Sequence, residues 1–165
     1  MSEVVVDTNV WVMVDEIVSD METDEEKLCI LACQDWLEQF SANEDSLVVD
    51  GYQTYLILSE YRRNVRAGGV AESLLNDLSG HLFHRLVLKP IGLDEDGYAI
   101  LPPPFSLTHG KDRKFVAVAI QCDPYATIHY ATDIGWAHDR EQLESNGLTI
   151  HQLCPDYIKQ RMLIR

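Results

Sequence analysis

Four acidic residues, Asp7, Glu60, Asp112 and Asp133, each fall at the boundary of a predicted helix or strand or on its apolar face. Carboxylates brought together repel one another and are costly to desolvate, so a convergent set of this kind is best explained by a bound cation. Divalent ions with a preference for oxygen ligands fit that description. Asp7 is the most informative member. It ends the apolar run Val4-Val5-Val6 and precedes Thr8-Asn9, which puts it at the carboxyl end of a buried strand, where open α/β sheets bind their ligands.

Each acid also has an ordinary structural reading. Asp7 could cap the helix that follows it. Glu60 lies four residues after Leu56 and eight after Tyr52, on a face otherwise apolar, but it could pair with Arg63 or Asn64 along its own helix. Asp112 stands one turn ahead of Phe115, Val116 and Ala119, in a first turn and in line with the core-facing stripe. Asp133 follows the strand expected over Ile128 to Thr132. Asp50 and Asp139 read as helix caps, and Asp24-Glu25-Glu26 as the solvated start of a helix whose dipole they complement.

Alternating elements must position these groups. Strands are expected at Val4 to Asp7, Leu47 to Asp50, Arg85 to Leu88, Ile128 to Thr132 and Leu148 to Leu153. Helices are expected through Trp11 to Ile17, from Asp24, from Gly51 to a stop at Gly68-Gly69, over Val70 to Leu78, over Lys111 to Cys122 and, last, over Asp139 to Glu144. Such alternation predicts an α/β fold with a mostly parallel central sheet covered on both faces. Between Gly92 and Gly110 the pattern dissolves into an acidic and proline-rich stretch. That is long for a structureless connection and marks either a functional loop or an edge strand over Tyr98 to Leu101.

With 165 residues and 46% hydrophobic content, the chain can bury one core and reads as a single domain spanning 1–165. A net charge of -14 argues against coating nucleic acid by bulk electrostatics, because phosphate affinity rests on clustered Lys and Arg. It leaves room for a local basic rim. Met1-Ser2-Glu3 offers no basic leader, and no stretch reaches the roughly 18 apolar residues that suggest a membrane helix, so the expected location is the cytoplasm, with no membrane contact. Cys29, Cys33, Cys122 and Cys154 read as buried thiols rather than zinc ligands. The histidines read as structural or surface groups, with His109 set apart by standing three residues before Asp112.

In sequence, the strand ending Asp7-Thr8-Asn9, the segment Leu58-Ser59-Glu60, the run Asp112-Arg113-Lys114-Phe115-Val116-Ala117 and the pair Thr132-Asp133 resemble the four acidic motifs of PIN-domain nucleases, in the same order and on the same element types. That resemblance implies a three-layer α/β/α sandwich and a cleft at the carboxyl ends of the strands. It also implies one or two Mg²⁺ or Mn²⁺ ions held by Asp7, Glu60, Asp112 and Asp133, with Asn9 and Thr132 in support. The implied chemistry is phosphodiester hydrolysis in single-stranded RNA. For toxin-type members it implies a homodimer and a small antitoxin-like partner protein.

Two departures matter. Gly135 stands where related chains often carry a further acid, and the chain is more acidic than an RNA-binding surface suggests. Arg62, Arg63 and Arg66 follow Glu60, and Lys111, Arg113 and Lys114 flank Asp112, so these could form a basic rim contacting phosphates or simply a solvated face. The leading expectation is a metal-dependent ribonuclease using Arg63, Lys111 and Arg113 on its substrate. The alternative is a PIN-like binding or regulatory module with little nuclease activity. A phosphatase of the haloacid dehalogenase kind is disfavoured, because a second Asp two residues after Asp7 is missing.

Overall fold

Consecutive buried valines decide the architecture. Val4, Val5 and Val6 are all buried, as are Leu47, Val48 and Val49. Neighbouring strand residues point to opposite faces, so the sheet that contains them must be covered on both sides. The computed structural model, which describes residues 2–164, has that form. Its strands are β1 (Glu3–Val6), β2 (Ser46–Asp50), β3 (Leu86–Lys89), β4 (Thr127–Tyr130) and β5 (Ile150–Gln152). All pair in parallel, in the order β3-β2-β1-β4-β5, with Val5 opposite Ile128 and Val4 opposite Leu47. Among the described residues seven α-helices flank the sheet: α1 (Thr8–Val14), α2 (Asp24–Ala42), α3 (Leu56–Asn64), α4 (Val70–Ser79), α5 (Arg113–Ala119), α6 (Ile134–Ser145) and α7 (Pro155–Leu163). The protein is an α/β/α three-layer sandwich.

The strand order has a consequence for function. From β1 the chain builds outward through β2 to β3, then returns to the other side of β1 as β4. Connections therefore diverge between β1 and β4, and the crevice beyond their carboxyl ends is where such sheets bind ligands. Asp7 follows β1 directly and Asp133 follows β4 by three residues.

Local chemistry explains several element limits. Thr23 accepts a hydrogen bond from the Glu26 amide, while the Glu26 side chain accepts from the Thr23 amide, a reciprocal cap that starts α2. Asp50 caps α3 from the end of β2, accepting from the amides of Leu56 at 2.7 Å and Ile57 at 2.8 Å. The cap role expected for Asp50 holds, although α3 begins at Leu56 and ends at Asn64, inside the limits predicted from Gly51 and Gly68-Gly69. Asp139 is a correction. Asp133 caps α6, its carboxylate accepting from the Gly135 amide at 2.8 Å, whereas Asp139 lies within that helix and accepts from Thr108. Leu93 and Ala99 form an isolated antiparallel bridge in place of a full edge strand.

The cysteines divide. Cys33 and Cys122 are buried free thiols, both pushed up to about 12 chiefly by burial, hence poor nucleophiles. Cys29 and Cys154 form a disulfide, which corrects the thiol reading for that pair. The bond joins α2 to the residue preceding α7 across a separation of 125 residues. Constraint of so long a loop in the unfolded chain is worth about 2–4 kcal/mol. Reduction, or Cys154→Ser, should lower the free energy of unfolding by about that amount. Denaturant titrations with and without reductant, beside a count of reactive thiols in the unfolded protein, check this.

Candidate metal centre

Asp7, Asp112 and Asp133 meet. Each offers a carboxylate oxygen, and the three atoms lie within 4.8 Å of one another. Asp7 comes from the end of β1, Asp133 from the start of α6, and Asp112 from a 3-10 turn, Gly110–Asp112, that leads into α5. Asp7 is 4% and Asp112 7% exposed, so two of the three charges are taken out of water. Burial first, then the charges of Asp112 and Asp133, push Asp7 up to about 7. Asp112 is pushed up to about 6 by burial and the charge of Asp133, against the pull of Lys114 and Lys111.

The capping alternative for Asp7 fails on geometry. Asp7 occupies the position before α1, yet among the described residues its side chain makes no capping bond, and its buried Oδ2 has no well-aligned hydrogen bond, the Trp136 indole giving the carboxylate only a weak opposing pull. A buried carboxylate oxygen left unpaired costs free energy, and a cation shared with Asp112 and Asp133 removes that cost. Three oxygens of this type suit a hard divalent ion, with water filling the remaining positions. The residues present therefore fit a hard divalent cation.

Glu60 stands beside this group rather than within it. Its carboxylate accepts a short hydrogen bond from the Thr8 hydroxyl and faces Lys114 Nζ at 3.4 Å, while Asn64 bonds only its backbone carbonyl. The alternative reading, a side-chain pairing with Arg63 or Asn64 along the helix, is absent among the described residues. Thr8 links Glu60 to the strand end that carries Asp7. Sequence reasoning passed over this threonine, although its place between Asp7 and Asn9 was the available signal.

The basic residues differ in kind. Lys114, expected on the rim, is buried, and its ammonium group donates to the Lys111 carbonyl and pairs with Glu60. Arg113, expected to contact phosphate, pairs with Asp94 at 3.3 Å and lies over the Tyr98 ring. Arg62 donates to Ser79. Arg63 and Lys111 are exposed and line a cavity with Glu60 and Lys114. On the other flank Asn9 and Thr132 line a second cavity with Asp133 and Arg161. Arg161 lies on α7, an element the sequence patterns did not predict.

Gly135 has a steric role here. A Cβ at this position would lie 2.9 Å from His109 Cδ2 and 3.1 Å from Asp133 Oδ1, so the imidazole edge fills the space that a side chain would need. His109 is thereby placed beside Asp133, the one histidine the sequence had singled out. No helix among the described residues is long and apolar enough to cross a membrane. Comparison of the chain with protein-family models, with curated proteins and with solved structures gave no significant match.

Proposed function

We propose that this protein is a divalent-metal-dependent nuclease that hydrolyses phosphodiester bonds in single-stranded RNA. The observation that carries the reading is the convergence of Asp7, Asp112 and Asp133, with one carboxylate oxygen of each within 4.8 Å of the others, at the switch point of a parallel sheet. The resemblance of the four acidic segments to PIN-domain nucleases supplies the choice of RNA. A bound Mg²⁺ or Mn²⁺ supplies Lewis-acid polarisation of a phosphoryl oxygen and an activated water. The chain's own residues do the rest. Asp7, Asp112 and Asp133 provide the negative charge that holds the ion, Glu60 is kept in place by Thr8 and Lys114, and Arg63 and Lys111 offer cations to the substrate backbone. Asn9 and Thr132 provide polar contacts on the Asp133 side.

The high net negative charge of -14 and Gly135 favour one competing reading, a binding or regulatory module on the same fold. Incubation of purified protein with single-stranded RNA in Mn²⁺, Mg²⁺ or EDTA separates the two. Metal-dependent cleavage, absent in EDTA and in Asp112→Asn, is the outcome for the nuclease; folded protein that cleaves under none of these conditions belongs to the binding module. On this reading the protein works in the cytoplasm. Recovery of the Cys29–Cys154 bond intact from cells would instead place it in an oxidising compartment.

A further inference from the structure

Tyr98 lies in the loop between β3 and α5 that the sequence left without a regular element. Its position is closely defined. Asp94 organises the turn that presents it, the Asp94 side chain accepting from the amides of Asp96 at 2.9 Å and Tyr98 at 3.0 Å, while the Asp94 amide donates to the Tyr98 carbonyl at 2.8 Å. The other Asp94 oxygen takes the Arg113 guanidinium, which lies 5.9 Å from the centre of the Tyr98 ring. Gly110 forms the remaining support. A Cβ there would meet ring atoms of Tyr98 at 2.7, 2.9 and 3.0 Å, so the ring rests against bare backbone at the turn that carries Asp112.

Despite these supports Tyr98 remains 41% exposed. It borders the cavity of about 310 Å³ that Glu60, Arg63, Lys111 and Lys114 also line. Among the described residues the Arg63 and Lys111 side chains make no ion pair or hydrogen bond. An exposed, rigidly seated aromatic ring beside exposed cations is the combination that binds single strands, the ring taking a base and the cations the backbone.

We propose that Tyr98 is a stacking platform for one base of a single-stranded nucleic acid, next to the phosphate that the acidic centre receives. The inference rests on the nuclease reading for the identity of its ligand and names the part of that ligand which the cavity takes. Arg113 acts through Tyr98, as a positioning residue. Selectivity for single strands follows, because a paired base is already stacked on its neighbours and cannot lie on the ring.

The test compares a short fluorescent single-stranded RNA with the same oligonucleotide carrying abasic positions, bound to wild type, Tyr98→Phe and Tyr98→Ala in Ca²⁺. Loss of one stacking contact should weaken binding of the normal oligonucleotide by about tenfold or more in Tyr98→Ala. Tyr98→Phe should bind like wild type, and the abasic oligonucleotide should bind all three proteins equally. Gly110→Ala, which displaces the ring without removing it, should reproduce Tyr98→Ala. Equal weakening toward both oligonucleotides, or no weakening toward either, would overturn the platform even in an active nuclease. Conversely, the predicted binding pattern from a protein that cleaves nothing would sustain the platform and defeat the nuclease. Wild-type protein that binds neither oligonucleotide and cleaves neither defeats both.

Discussion

In EDTA the acidic cluster should withdraw about 3 kcal/mol of stability between pH 5 and pH 7.5, partly offset by His129, which burial pushes down to about 4 and which therefore favours the folded state as pH rises. Asp7 and Asp112 have values of about 7 and about 6 in the folded chain, against 3.8 for the ordinary carboxyl group. The folded protein therefore holds protons that the unfolded chain has released. The contribution of these two groups is greatest below the ordinary value and falls as pH rises through about 4 to 7, because proton binding favours whichever state holds more protons. It runs opposite to the usual acid-denaturation trend. Saturating Mn²⁺ at pH 7.5 should restore the loss, since a ligand at 100 times its dissociation constant adds about 2.7 kcal/mol. At pH 5 it should add much less, because the ion must displace protons from its ligands. Denaturant unfolding at both pH values, with EDTA or Mn²⁺, gives all four numbers. A pH dependence in EDTA that Asp112→Asn leaves unchanged would mean that the three carboxylates are not held together.

Asp112→Asn should separate stability from activity. The amide keeps the shape of the carboxylate and removes its charge from beside Asp7 and Asp133, so the metal-free protein at pH 7.5 should gain about 2 kcal/mol. Its stabilisation by Mn²⁺ should disappear. RNA hydrolysis should fall on the order of 10³-fold, the equivalent of several kcal/mol of transition-state stabilisation that the ion contributes. Gains in stability at the expense of function identify residues held in place for chemistry. A variant that is less stable than wild type in EDTA would instead assign Asp112 a structural part, through Lys114 or Lys111.

Much of the scaffold was legible because its signals are local. Three successive β-branched residues before Asp7 mark a strand covered on both faces, and the caps at Thr23 and Asp50 lie within a few residues of the helices they start. Placement of Asp133 was legible for the same reason, but its role as the cap of α6 was not. Ile134-Gly135-Trp136 lacks the polar first turn that announces a helix, so the start seemed to lie near Asp139. Lys114 was misjudged because α5 is enclosed. Residues 114–119 are all buried, which leaves no polar stripe from which to tell an inward lysine from an outward one.

Features joined across the chain were the hardest to see. Cys29 and Cys154 carry no spacing rule that pairs them, and α7 with Arg161 follows a strand where the pattern had given out. Glu60 was placed correctly on its helix, but the contacts that hold it there were not legible. It meets the Thr8 hydroxyl and the Lys114 ammonium, two contacts at sequence distances of 52 and 54 residues. Arg113 was read as a phosphate ligand because it adjoins Asp112, and its pairing with Asp94, 19 residues away, was not legible in the sequence. Charge and neighbourhood in sequence identify candidates; the partner each one meets decides its function.

On the proposed reading Asp7, Asp112 and Asp133 hold a divalent cation. Crystals grown or soaked in Mn²⁺ and measured near the manganese absorption edge test it directly. An anomalous peak is expected among the three carboxylates, at roughly 2 Å from an oxygen of each and absent from crystals of Asp112→Asn. Crystals in saturating Mn²⁺ with no peak there, the carboxylates being otherwise ordered, would contradict it.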